Sequence, residues 1–160
     1  MASLHQELRS IFDSQITAAT QLLELLKKEH DAVADQNADD IEQLLNAKQA
    51  QIECLETLTT KQDRLLVEAG FNPSRSTTEK FLIQHDTGGS FELINLWHRL
   101  SDVVMQCRDQ NQRNGRLVTL RRRKTEQALN ILRGQSPDSQ SYGPDGTAVS
   151  GTASRPLTTV

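Results

Sequence analysis

Apolar residues recur at intervals of three and four from the start of the chain: Leu4, Leu8, Ile11, Phe12, Ala19, Leu22, Leu23, Leu26 and Val33. Such spacing marks one face of an amphipathic helix. Ser3 stands where an N-cap belongs, so a first helix is expected over about 3–36. A second stripe, Ile41, Leu44, Leu45, Ile52, Leu55, Leu65 and Leu66, follows the pair Asp39 and Glu42, which has the spacing of a capping box. It predicts a helix over 39–69. Gly70 suits a left-handed C-cap, and Phe71 falls where a Schellman motif returns an apolar residue to the last turn. The short link between the two helices forces them antiparallel.

Beyond Gly70 the pattern predicts a linker with one short helix, about 78–85, capped by Thr77 or Thr78. Gly88 and Gly89 break it, and Ser90 would cap a long third helix over 91–133. That helix starts with the ladder Leu93, Trp97, Leu100, Val104 and Cys107. Continued by threes and fours, the same face reaches Asn111, Asn114 and Val118. An amide on an apolar seam costs stability but penalises registers that leave it unpaired. Gly115 costs about 1 kcal/mol against alanine inside a helix, which suggests a close neighbouring backbone. Asn111, Asn114 and Gly115 are therefore expected to form a polar layer fixing the height of the third helix. After it, Leu117, Leu120, Ala128 and Ile131 lie on one side with Val118, Leu129 and Leu132 beside them. This band is wider than a two-helix seam needs. Two readings stay open: ordinary core under staggered helices, or a face that a partner covers.

The expected fold is all-α: an antiparallel bundle of three long helices and one short one over 1–133, with left-handed, coiled-coil-like packing. Residues 134–160 hold four of the eight glycines and three of the four prolines, so this Gly/Pro/Ser/Thr-rich segment is expected to be a flexible tail. With six aromatic residues in 160, a sheet or a thick core is disfavoured. No run of 18 apolar residues occurs and no secretory leader pattern opens the chain. Cys54 and Cys107 lack a CxxC spacing and read as reduced thiols, so a cytoplasmic protein is expected. The net charge of −3 divides unevenly: residues 1–70 balance at −7 and 71–160 at +4, which favours the last helix folding back onto the first two.

Chemistry-bearing patterns are missing. His5, His30, His85 and His98 have no metal-ligand spacing, and His98 with Asp102 reads as a surface pair. There is no Glu-x-x-His and no phosphate loop, so neither an enzyme nor a cofactor or metal is expected. The run Arg121 to Lys124, with Arg113 and Arg116 upstream, is the basis of a rival reading as a nucleic-acid or anionic-surface binder. Four consecutive charges wrap around a helix and no aromatics interleave for stacking, so nucleic acid is not the expected partner. A structural coiled-coil adaptor is the third reading.

The stretch "NQRNGRLV", then "TEQALNIL", then "YGPDGTAVS" resembles the FlgN family of flagellar type III export chaperones. The resemblance covers Cys107 to Ser150, through Asn111, Asn114, Gly115, Leu117, Ala128, Leu129, Leu132, Tyr142, Gly143, Asp145 and Gly146. It implies a cytoplasmic helical protein that binds the C-terminal segments of hook–filament junction (hook-associated) proteins. Such a protein prevents their premature assembly and delivers them to the export gate, with the export ATPase complex as a further contact. It also implies that Leu117, Val118, Leu120, Ala128, Leu129, Ile131 and Leu132 form the client-binding face. Tyr142, Gly143, Asp145 and Gly146 would then be an export-gate docking element. A weak homodimer through the same apolar stripe is compatible with the pattern. Which junction protein is preferred does not follow from it.

Overall fold

A computed structural model describes residues 3–86 and 91–134. Among these every regular element is a helix: α1 (Leu4–Asp35), α2 (Ala38–Glu68), α3 (Arg75–His85) and α4 (Glu92–Leu132). The three long helices and the short one match the expected class. The tail 135–160, with Tyr142, Gly143, Asp145 and Gly146, lies outside the described residues, as do Gly88, Gly89 and the expected cap Ser90.

Local chemistry sets the helix ends. Ser3 and Gln6 form a capping box: the Gln6 amide donates to Ser3 Oγ at 3.3 Å and the Ser3 amide to Gln6 Oε1 at 3.2 Å. α2 closes with the anticipated Schellman turn. Gly70 is left-handed (φ 86°), its amide donates to the Val67 carbonyl at 2.9 Å and the Phe71 amide to Leu66 at 2.9 Å. Three boundaries differ from expectation. The α1–α2 turn needs only Gln36, left-handed at φ 58°, and Asn37, whose side chain accepts from the Asp40 amide. Asn37 thus caps α2, and Asp39 and Asp40 lie in its first turn, where the helix dipole favours carboxylates. α3 starts earlier than expected because Ser74 caps it, accepting from the Thr77 amide at 3.2 Å. Thr78 is buried and belongs to the packed face. α4 begins at Glu92, with the Phe91 carbonyl (φ 50°) accepting from the Asn95 amide at 3.0 Å.

Contacts between helices fix their directions. Gln15 Nε2 donates to Gln62 Oε1 at 3.1 Å and Lys48 Nζ to Glu29 Oε1 at 2.8 Å, so α2 runs antiparallel to α1. Along α1 and α4 the partner numbers rise together. Arg9 meets Glu92 at 3.0 Å, the Phe12 and Trp97 rings stand 5.8 Å apart, and the Cys107 thiol donates to the Ala19 carbonyl at 3.3 Å. The third long helix therefore returns parallel to the first, the up-down-up order of a bundle. The polarity of these contacts differs from the expected pairing of an acidic hairpin with a basic last helix: Arg9 supplies the cation to Glu92, and Lys48–Glu29 lies within the hairpin.

Two compact units divide the chain, Met1–Leu117 and Val118–Val160. In the first, the main core takes Leu8, Phe12 and Ala19 from α1, Leu66 from α2, Phe81 and Leu82 from α3, and Leu93, Ile94, Leu96 and Leu100 from α4. Phe71 stacks edge-on against Phe81 with ring centroids 4.6 Å apart. Further along, the core thins to Leu23, Leu26 and Cys107. Four helices bury the first cluster, whereas α1 and α4 supply every member of the second.

Candidate functional site

Where the second cluster ends, Asn114 of α4 enters the interior and is 3% exposed. An asparagine offers two N–H donors and a carbonyl oxygen with two acceptor sites. All four are used. Nδ2 donates to the Leu26 carbonyl and to Glu29 Oε2, each at 2.8 Å. Oδ1 accepts from Gln110 Nε2 at 3.0 Å and faces His30 Nδ1 at 3.1 Å. With both amide hydrogens committed to α1 oxygens, Oδ1 must be the acceptor, so His30 carries its proton on Nδ1. Glu29 in turn binds Lys48 through its other oxygen, which draws α2 into the same layer. One amide thus joins three helices at one level, and a slip of α4 by a turn would strand a carboxylate and an amide together.

The other two members of the expected layer lie elsewhere. Asn111 is exposed and takes no place among these contacts. At 3.6 residues per turn Asn111 still shares the azimuth of Leu93, so its exposure comes from how little surrounds α4 at this height and not from its place on the stripe. Gly115 is exposed as well, and a Cβ added to it would meet nothing within 4 Å. No close neighbouring backbone therefore accounts for this glycine. Glu29, His30, Lys48 and Gln110 were not singled out from sequence. Their charge or surface-like spacing hides them until α1 and α4 are set side by side.

Beyond Leu117 the character of α4 changes. Leu117 is half-buried, whereas Val118 (51%), Leu120 (50%), Leu129 (44%), Ile131 (64%) and Leu132 (83%) are exposed, as is Ala128. At 3.6 residues per turn these seven side chains spread over about half of the helix circumference, with Leu117, Ala128 and Leu132 near its middle. Arg122 Nε donates to Glu126 Oε1 at 2.9 Å, so one of the four consecutive cations is engaged along its own helix. A surface of this size and spacing can accept an apolar partner.

The remaining titratable groups do not converge. His98 faces Glu79 at 3.5 Å on the surface, not Asp102 as the spacing suggested, and His5 stands 3.7 Å from Asp86. Among the described residues no group of three or more His, Cys, Asp or Glu side chains could hold a metal ion. No described helix is long and apolar enough to cross a membrane. Burial pushes the Cys107 thiol above its ordinary pKa, while Cys54 is exposed.

Comparison with known proteins agrees with this picture. Residues 1–150 match the FlgN protein family. A solved flagella synthesis protein FlgN from Pseudomonas aeruginosa is similar in structure, with a TM-score of 0.60 and 29% identity over 77% of this chain and 93% of that one. No curated protein sequence matches significantly. With all four helices and part of the tail inside the family match, the chain belongs to the FlgN family of flagellar export chaperones.

Proposed function

We propose that this protein is a cytoplasmic export chaperone that captures the C-terminal segments of hook-associated junction proteins on the last turns of α4, keeps them from assembling early and carries them to the export gate. The observation that carries the reading is the exposed band of Val118, Leu120, Leu129, Ile131 and Leu132 on one helix. Covering a large apolar side chain fully contributes about 1.5–3 kcal/mol, so a few of these residues suffice for a moderate, reversible affinity once the cost of ordering the client is subtracted. Leu117 and Ala128 lie within the same arc and set how closely a client helix approaches. The role needs no enzymatic chemistry: it consists of covering an apolar client stripe and releasing it. Tyr142, with the turn-forming Gly143, Asp145 and Gly146, serves as the gate-docking element in this proposal, because a single ring on a short motif can dominate a small interface.

Leu129→Asp combined with Leu132→Asp tests the reading, using purified C-terminal segments of junction proteins as probe. Client binding is expected to vanish in calorimetric titration while far-ultraviolet circular dichroism and the melting temperature stay within error of the parent. A variant that binds as the parent does removes the face from the proposal. Tyr142→Ala in the same experiment keeps client binding and weakens gate docking; unchanged docking removes the anchor role.

A further inference from the structure

A second apolar surface lies within the unit Met1–Leu117, well before the client face. A groove of about 360 Å³ opens between α2, the start of α3 and α4, within the size range of ligand pockets. Its α4 wall is Trp97, Val104 and Met105, with Val104 39% and Met105 53% exposed. The α2 wall is polar. Gln62 is committed to Gln15 beneath it, so no apolar side chain from α2 reaches across to cover Met105. The rim is charged. Arg75 at the start of α3 and Arg108 on α4 are both exposed, and neither makes an ion pair with a described residue. Asp63 is the acidic side chain in the lining, which leaves the rim with a surplus of positive charge.

These features select an occupant. Two helices flanking an apolar trough offer a third helix a seat, and the two guanidinium groups choose its charge. We propose that this groove receives an acidic amphipathic helix of a partner protein, with an apolar side chain seated between Trp97 and Met105 and carboxylates meeting Arg75 and Arg108. Its lining shares no residue with the client face.

Trp97 is the chain's sole tryptophan, so intrinsic fluorescence reads this groove directly. The probes are two capped synthetic helical peptides with one leucine stripe, flanked by glutamates in one and by lysines in the other. On the full chain the glutamate peptide is expected to shift Trp97 emission to the blue saturably, and the lysine peptide to leave it unchanged. Met105→Glu should weaken the glutamate peptide by about tenfold or more. Arg75→Glu with Arg108→Glu should transfer the preference to the lysine peptide. The Leu129→Asp and Leu132→Asp variant should respond as the parent does, which separates this site from the client face. No response to the glutamate peptide, an equal response to both peptides, or undiminished binding by Met105→Glu at parental helicity would each overturn the proposal.

Discussion

Between Leu93 and Asn114, α4 buries Leu93, Ile94, Leu96, Leu100, Cys107 and Asn114; between Val118 and Leu132 it buries no residue, although it carries Val118, Leu120, Leu129, Ile131 and Leu132 there. Both stretches belong to one uninterrupted helix and both are rich in leucine. The difference lies in what surrounds them. In the first stretch α1, α2 and α3 contribute Phe12, Leu66 and Phe81 to the same cluster as Leu100. A leucine's value to the fold is therefore set by its neighbours and not by its hydropathy. The same residue type holds the fold together at one end of α4 and stays exposed at the other.

One substitution made twice puts that contrast to the test. Leu100→Ala should cost about 2–5 kcal/mol, because a side chain 7% exposed leaves a cavity in the cluster. Leu129→Ala should change stability by less than about 0.5 kcal/mol, as surface substitutions do. Urea titration of both variants measures the two values, and equal losses would erase the distinction between the stretches. At the boundary between them, Asn114→Leu should cost about 2–3 kcal/mol. It removes a hydrogen bond to the Glu29 carboxylate inside the protein and strands the partners of the amide. Asn111→Leu, on the exposed side, should be close to neutral in the same titration.

Gly115→Ala should stabilise the protein by up to about 1 kcal/mol, since the added methyl meets nothing within 4 Å and glycine is the poorer helix former. A fall in melting temperature would restore a packing role for this glycine. The smallest effect concerns pH. Burial holds the Cys107 thiol protonated above its ordinary pKa, so the unfolded chain releases this proton first. The resulting stability is complete below the ordinary thiol pKa and is lost as pH rises through the raised value in the folded protein. Cys107→Ala should flatten the alkaline fall in stability relative to the parent.

The sequence is informative where periodicity and turn chemistry act locally. Ser3, Gly70 and Phe71 could be read directly because a cap or a Schellman turn involves residues within one turn of each other. The caps at Asn37 and Ser74 are harder to read, because several Asp, Asn, Ser and Thr residues stand in range of each helix start. Of the polar layer, Asn114 was visible as an amide on an apolar stripe. Its partners His30 and Glu29 were not, since they lie more than eighty residues away and nothing in a one-dimensional pattern marks which surface histidine faces which amide. The groove beside Met105 was also hidden. It results from how α2, α3 and α4 frame a gap, a property of three helices together.

The seam between α1 and α4 joins positions far apart in the order of synthesis: Cys107 reaches back 88 residues to Ala19, and Asn114 reaches 88 residues to Leu26. Closing a loop of that length costs entropy before the contacts it brings repay it, so these contacts wait until the chain has been made as far as Asn114. During translation the stretch of α1 that holds Leu23 and Leu26 consequently waits for its α4 partner until Cys107 has been made. The amide at position 114 is the last of these groups to be made, after every other residue that α4 buries.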